Sequence, residues 1–213
     1  MRIPRLPALQ LAALLALTQT YLCAGAQEGL QHPAPAGVAL CDSCHGLKSE
    51  GLEALGAPRL AGVQPWYLER QLRNFRSGIR GSKAEDLLGQ QMKSIADTLP
   101  SDSTIKEVAG YLSGLRTVVG KQTLNGDPVR GKQLYARCTP CHGADAEGIA
   151  SQQAPRLRGA NDWYVSRQLQ AFRSGARGND PQDTLGAIMR PIASSLPDEQ
   201  SLEDLAIYVG TLQ

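Results

Sequence analysis

The sequence has few aromatic residues, few histidines and no excess of charge of either sign. Its 213 residues include 2 Trp, 6 Tyr, 2 Phe, 3 His and 3 Met, and its formal net charge is +2. Aromatic side chains dominate ordinary cores, so their shortage predicts that something other than side chains fills part of the interior. The balanced charge provides no basic stripe for phosphate groups, which excludes nucleic acid as a partner. With 22 Gly, 13 Pro and 20 % charged residues, the composition also excludes a collagen-like fibre, a disordered tail and a long coiled coil.

The amino terminus resembles a secretory signal. Met1–Arg5 is short and basic, Leu6–Leu22 is mostly apolar, and Ala24–Ala26 supplies the small residues that a signal peptidase reads. We therefore predict a signal peptide at residues 1–26. The alternative is an uncleaved membrane anchor, which the shortness of the apolar run disfavours.

Of the five cysteines, Cys23 lies in the predicted signal peptide, and the other four fall into two pentapeptides that each end in histidine. Both have the form Cys-x-x-Cys-His, with Cys41, Cys44 and His45 in the first and Cys138, Cys141 and His142 in the second. In this motif two thiols add to the vinyl groups of a c-type haem, and the adjacent imidazole binds its iron. Disulfides and a zinc site are the alternatives in an exported chain, but the histidine after each pair favours haem. The sequence therefore predicts two covalently bound haem c groups.

The two motifs belong to an internal repeat with an offset of 97 residues. Aligning 41–116 with 138–213 gives 33 identities in 76 positions without a gap, where ordinary composition gives about five by chance. The chain is therefore a tandem duplication. We predict one domain at 27–118 and a second at 119–213, joined through residues 117–125.

Both methionines of the predicted mature chain lie at equivalent places in the repeat. Met92 and Met189 each follow the histidine of their own motif by 47 residues. A c-type iron commonly takes histidine on one face and a thioether on the other. We therefore predict that His45 and Met92 are the axial ligands of one iron, and that His142 and Met189 are those of the other. Core filling is the alternative for the methionines, and His32 is expected to be a surface residue.

Helical periodicity dominates both halves. Apolar residues recur at i, i+3, i+4 and i+7 in the last helix of each half, at Ile105, Val108, Ala109 and Leu112 and at Leu202, Leu205, Ala206 and Val209. Pro65 suits the first turn of an earlier helix in the first half. In the second copy of this helix, Asn161 or Asp162 can cap the start and Gly175 can end it. Gly131 lies in a short helix before the second motif and allows another helix to approach closely. Almost no segment alternates like a strand, so the predicted fold class is all-α.

Several residues are candidates for contacts around the haems. The carbonyls of Pro58 and Pro155 are predicted to accept the ring N–H of the ligand histidines, with a plain turn as the alternative. Aromatic side chains can reach haem propionates or serve ordinary packing; they are Trp66, Tyr67, Trp163 and Tyr164. Four arginines can neutralise propionates or pair across the domain interface, and for at least half of them a solvated helix end is expected instead; they are Arg76, Arg80, Arg173 and Arg177.

These motifs resemble class I cytochrome c domains. Two such units in one exported chain, each with QLxxFRSGxRG before the methionine, resemble the two-haem cytochrome c4 family over nearly all of residues 28–213. The resemblance implies two tandem helical domains, each wrapped around a covalent haem, with propionate edges facing the interface. It also implies a periplasmic electron carrier, soluble or loosely held on the membrane, between a donor complex or dehydrogenase and a terminal oxidase. The first half departs from the family in its weak first helix.

With both axial positions filled, no open site remains for oxygen or peroxide. The sequence therefore predicts an electron-transfer protein rather than an enzyme, with no catalytic residue. Three alternatives stay open: a haem peroxidase or dehydrogenase, an electron-accepting subunit of a periplasmic dehydrogenase that oxidises thiosulfate or an alcohol, and a thiol-redox protein without haem.

Overall fold

The computed structural model describes residues 33–116, here called the first half, and residues 121–212, the second half. The predicted signal peptide at 1–26 and His32 lie outside the described residues, as does the predicted boundary between residues 118 and 119. Ala34–Gln213 form one compact unit, and the two domain ranges stay a prediction. None of the helices described is both long and apolar enough to cross a membrane.

The regular structure of the described residues is helical apart from two isolated antiparallel bridges, Leu52–Ala57 and Ile149–Ala154. The helices of the first half are α1 (Val38–His45), α2 (Pro65–Arg76), α3 (Leu87–Asp97) and α4 (Asp102–Gly114). Those of the second half are α5 (Pro128–Tyr135), α6 (Thr139–His142), α7 (Asp162–Ser174), α8 (Thr184–Ser194) and α9 (Gln200–Thr211). The predicted all-α fold class is confirmed.

Each half has a hydrophobic cluster around its last helix. All eight apolar positions predicted for α4 and α9 are buried. In the first half the cluster extends to Val38 of α1 and Leu68 of α2. In the second half it includes Leu134 of α5 and Leu169 of α7. Each fully buried side chain of this size contributes about 1.5–3 kcal/mol, so these helices fix the frame in which the motifs lie.

Gly131 lies where α5 packs against α9. A Cβ on this residue would lie 2.6 Å from the carbonyl carbon of Asp204 and 2.8 Å from the Cβ of Tyr208. Only glycine permits this spacing, so the predicted close approach is confirmed. In the first half, residues 33–37 form no helix and α1 begins at Val38, as the weak apolar pattern there indicated.

The helices α2 and α7 lie where they were predicted, but the N-cap side chain of α7 makes no capping bond. Pro65 occupies the first turn of α2, and Gly175, with φ of 82°, follows the last residue of α7. Of the two residues predicted to cap α7, Asn161 makes no side-chain bond to its own helix. The carboxylate of Asp162 instead accepts the N–H of Trp163 in the first turn, at 2.8 Å. The side chain of Asn161 is therefore free for another contact.

Candidate functional site

The histidine of each motif is buried and oriented by one hydrogen bond. His45 and His142 are 4 % and 6 % exposed. The Nδ1 of His45 donates to the Pro58 carbonyl oxygen at 2.6 Å, and that of His142 donates to the Pro155 oxygen at 2.8 Å. A carbonyl oxygen only accepts, so Nδ1 carries the proton and Nε2 keeps its lone pair for a metal. The hydrogen bonds predicted for both prolines are confirmed.

The environment of these histidines suits a metal ligand. Burial lowers the pKa of both imidazoles, and the bonds to Pro58 and Pro155 oppose that shift only in part. The neutral ring is the form that binds metals. In the described residues the buried Nε2 of His45 has no hydrogen-bond partner. A buried polar atom without a partner calls for an explanation, and iron of a covalent haem supplies one, so the residues present fit this group.

No disulfide joins the four motif cysteines among the described residues, so all four sulfur atoms are available for thioether bonds to haem. Burial raises the pKa of Cys41, and it raises the pKa of Cys138 to about 11. Redox-active dithiols depend on a cysteine whose pKa is lowered. The leading cysteine of each motif has the opposite shift, and each pair is followed by a buried histidine with an oriented ring; together these features favour haem over a thiol-redox protein.

The two methionines occupy matching positions in matching helices. Met92 lies in α3 and Met189 in α8, and both side chains are half-buried. Met189 also packs against the hydrophobic cluster of the second half. Their assignment as axial ligands stays a prediction.

Two of the four candidate arginines join the halves. Arg80 and Arg177 each donate to a tyrosine hydroxyl and a glutamine oxygen of the other half. The acceptors are Tyr164 (3.3 Å) and Gln168 (2.7 Å) for Arg80, and Tyr67 (3.0 Å) and Gln71 (3.0 Å) for Arg177. Neither guanidinium forms a salt bridge with a carboxylate in the described ranges. The predicted pairing between halves is confirmed for these two residues.

The other two arginines bind within their own half. Arg76 pairs with Asp102, and Arg173 donates to the carbonyl oxygen of Leu196 at 2.8 Å. The tryptophans stack under arginines of their own helix, with Arg70 5.2 Å from the centroid of Trp66. Arg76 and Arg173 therefore do not pair between the halves, in line with the expectation that at least half of the four arginines take no such role.

Sequence reasoning missed two further pairs of crossing hydrogen bonds. The N–H of Arg59 donates to Asn161 Oδ1 at 2.7 Å, and the N–H of Arg156 donates to Gln64 Oε1 at 2.7 Å. Arg70 and Arg167 form the second pair, donating to the backbone oxygens of Gln153 and Gly56. Each bond has a counterpart at the offset of 97 residues. The internal repeat was therefore the signal in the sequence that could have indicated paired contacts. The halves therefore exchange equivalent contacts, like the subunits of a symmetric dimer.

The two helical halves, each with a buried Cys-x-x-Cys-His histidine, define a c-type cytochrome with two haem sites. The Cytochrome c family model matches residues 128–213. The chain is 32 % identical over 189 residues to "Cytochrome c4" of Azotobacter vinelandii, covering 82 % of this chain and 84 % of that protein. It is 33 % identical over 210 residues to "Thiosulfate dehydrogenase electron acceptor" of Stutzerimonas stutzeri (strain A1501), covering 96 % and 94 %.

Solved structures give the same result. Reduced recombinant cytochrome c4 from Pseudomonas stutzeri superposes with a TM-score of 0.67 at 30 % identity, covering 85 % of this chain and 99 % of that one. Thiosulfate dehydrogenase (TsdBA) from Marichromatium purpuratum superposes with a TM-score of 0.66 at 31 % identity, covering 81 % of this chain and 36 % of that one. The chain belongs to the cytochrome c4 family, and it is a dihaem electron-transport cytochrome with covalently bound haem c.

Proposed function

We propose that the protein is an exported, periplasmic carrier of single electrons in a respiratory chain. It passes electrons from a donor complex or dehydrogenase to a terminal oxidase and has no catalytic residue of its own. The observation that carries this proposal is the pair of buried histidines whose Nδ1 is occupied by a proline carbonyl, so that Nε2 is left for iron. Membership of the cytochrome c4 family supports it.

The residues assigned to each haem follow the repeat. Cys41 and Cys44 would hold the first haem, and His45 and Met92 would bind its iron. The second haem has the same ligands at the offset of 97 residues, which are Cys138, Cys141, His142 and Met189. Haem c supplies a one-electron exchange between ferrous and ferric iron when bound. The protein fixes the imidazole tautomer, fills both axial positions and so excludes oxygen and peroxide from the iron.

The arginines between the halves complete the sites. Arg80 and Arg177 are positive groups at an interface and form no salt bridge within the described residues. A charge at such a place needs an anionic partner, since desolvation is costly. We assign this role to haem propionates that face the interface. Propionates bound there would bring one edge of each haem to the interface, an arrangement that would suit electron transfer between them.

A second function is favoured by one specific similarity. The alignment with the thiosulfate dehydrogenase electron acceptor covers 96 % of this chain. In that case the protein serves as the dedicated acceptor of a periplasmic thiosulfate dehydrogenase. The ligand sets are identical, so the two functions differ only in their redox partners.

Haem staining of a denaturing gel, mass spectrometry and cell fractionation test the common part. We expect two covalent haems on a periplasmic protein, and a haem-free chain would refute both functions. Stopped-flow reduction then separates them. A dedicated acceptor is reduced rapidly only by thiosulfate dehydrogenase with thiosulfate, whereas a respiratory carrier is also oxidised rapidly by membranes that contain a terminal oxidase. Peroxide turnover comparable to that of a peroxidase would contradict the carrier.

A further inference from the structure

We propose that each half of the protein tunes the axial histidine of the other half through the amide oxygen of one side chain. Asn161 acts on His45 and Gln64 acts on His142. Both are positioning residues that act through a single peptide group. The inference rests on the proposed ligation of both irons by these histidines.

The geometry is that of a short hydrogen-bonded chain. The ring proton of His45 is accepted by the oxygen of the peptide group that links Pro58 to Arg59, at 2.6 Å. The N–H of the same peptide group donates to Asn161 Oδ1 at 2.7 Å. Hydrogen bonds at the two ends of one peptide group polarise it in the same sense and strengthen each other. The amide oxygen of Asn161 therefore makes the Pro58 oxygen a better acceptor for the histidine.

The second half repeats this arrangement. His142 donates to the Pro155 oxygen at 2.8 Å, and the N–H of the next residue, Arg156, donates to Gln64 Oε1 at 2.7 Å. Gln64 and Asn161 are equivalent positions at the offset of 97 residues. The same chain of bonds thus runs in both directions between the halves.

Both side chains are released from the usual task of their position. They are the N-cap residues of α2 and α7, and an N-cap side chain such as that of asparagine ordinarily accepts an N–H of its own helix. Neither makes such a bond here. The Nδ2 of Asn161 donates to the backbone carbonyl oxygen of Glu50 at 3.4 Å. Both the oxygen and the nitrogen of its side-chain amide therefore contact the other half.

The backbone of the first half leaves room for this contact. Gly51 has φ of +91°, and a Cβ on it would lie 2.8 Å from Asn161 Oδ1 and 2.6 Å from the Arg59 nitrogen. A side chain at this position would displace the amide oxygen from the peptide N–H. Glycine is therefore required at the point where the two halves exchange the bond.

The two crossing bonds differ in their exposure to water. Asn161 is 8 % exposed and its bond to Arg59 is buried, whereas the bond between Arg156 and Gln64 is exposed. A buried hydrogen bond is electrostatically stronger, and water cannot replace its acceptor. A stronger bond to the histidine proton raises the basicity of the ligand, which stabilises ferric iron and lowers the reduction potential. We expect the effect of Asn161 on the first haem to exceed that of Gln64 on the second.

The experiment compares Asn161→Ala and Gln64→Ala in the full-length holoprotein. The midpoint potential of each haem is measured by an NMR-monitored redox titration, with haem signals assigned through Overhauser contacts to their own half. We expect Asn161→Ala to raise the midpoint potential of the first haem by up to about 59 mV, which corresponds to a tenfold change in its reduction equilibrium constant. The potential of the second haem should change little. Gln64→Ala should raise only the midpoint potential of the second haem, and by a smaller amount. The Nδ1 proton of the affected histidine should exchange faster with solvent.

Matched variants separate tuning from packing. Asn161→Gln and Gln64→Asn exchange the side chains found in the two halves and should keep both potentials near their original values. Asn161→Leu retains the volume of the side chain but lacks the acceptor oxygen. It takes the place of Asn161→Ala if that variant folds poorly, and it should raise the potential of the first haem in the same way. A shift confined to the haem of the mutated half, equal shifts at both haems or unchanged potentials would overturn the proposal. Loss of haem or of axial ligation in the unmodified protein would instead refute the proposed function.

Discussion

Substitution of Gly131 by alanine should destabilise the second half, and the structure sets the size of the effect. The new Cβ would lie 2.6 Å from the Asp204 carbonyl carbon and 2.8 Å from the Tyr208 Cβ, whereas carbon atoms in contact prefer about 3.5–4.0 Å. The obstacle is the backbone of α9, which cannot rotate away, so α5 and α9 must separate by about 1 Å. Overpacking of this kind costs about 1–3 kcal/mol.

Two further terms decide the net value. Separation of α5 and α9 weakens the bonds from the Asp127 N–H and from Arg130 to the Asp204 carboxylate, both 2.8 Å long. The bond from the Asp127 N–H contributes about 1 kcal/mol. Alanine in a helix interior returns about 1 kcal/mol relative to glycine. These two terms offset each other, so the free energy of unfolding should fall by about 1–3 kcal/mol, which lowers Tm by about 2–12 °C in a unit of this size.

The matched control is Gly110→Ala in α4. A Cβ on Gly110 meets nothing within 4 Å, so only the helix propensity changes, and stability should rise by about 0.5–1 kcal/mol. Both variants are compared with the unmodified ferric holoprotein by urea unfolding, followed by circular dichroism. If Gly131→Ala unfolds at the same urea concentration as the parent, or if both variants shift in the same direction, the argument from close helix contact fails.

Three other predictions concern acid, ligands and haem. Burial raises the pKa of Asp204, but hydrogen bonds from Asp127, Gln200 and Arg130 outweigh it and lower the pKa overall. The stability it contributes is complete above its unfolded pKa and is lost as pH falls through the folded pKa, so Asp204→Asn should flatten the loss of urea resistance between about pH 5 and about pH 3; an unchanged profile would contradict this role. Met92→Ala and Met189→Ala should each abolish the methionine–iron charge-transfer band of one haem and lower its potential, and an unchanged spectrum would refute the ligation. Replacement of all four motif cysteines by alanine should leave a largely unfolded chain, which near-native circular dichroism would disprove; these residues are Cys41, Cys44, Cys138 and Cys141.

The local features of the fold could be predicted from the sequence because they depend on neighbouring residues. The periodicity of α4 and α9, the place of Pro65 and the small residue at Gly131 each act over one or two helical turns. The bond from His45 to the Pro58 oxygen was also predictable, since only 13 residues separate the partners and the repeat contains the same pair again.

The contacts between the halves could not be predicted in the same way. Arg76 and Arg80 are four positions apart, but Arg76 ends α2 and Arg80 lies in the loop beyond it. The direction of that loop decides that Arg80 reaches Gln168 while Arg76 pairs with Asp102. Asn161 was missed because its residue type predicts a helix cap, and Gln64 because nothing in the sequence distinguishes it. The partners of Gln64 and Asn161 lie 92 and 102 positions away.

The repeat predicts equal haem sites, and the contacts across the interface make them unequal. Both irons are assigned the same two axial ligands, a histidine and a methionine, so a difference in potential has to arise outside the ligand set. The crossing bond that strengthens the His45 contact is buried, whereas its counterpart for His142 is exposed to water. This difference lowers the potential of the first haem relative to the second and favours the electron on the second half. A duplicated chain can therefore acquire a direction for electron flow through Asn161 and Gln64, without any change in the residues that bind iron.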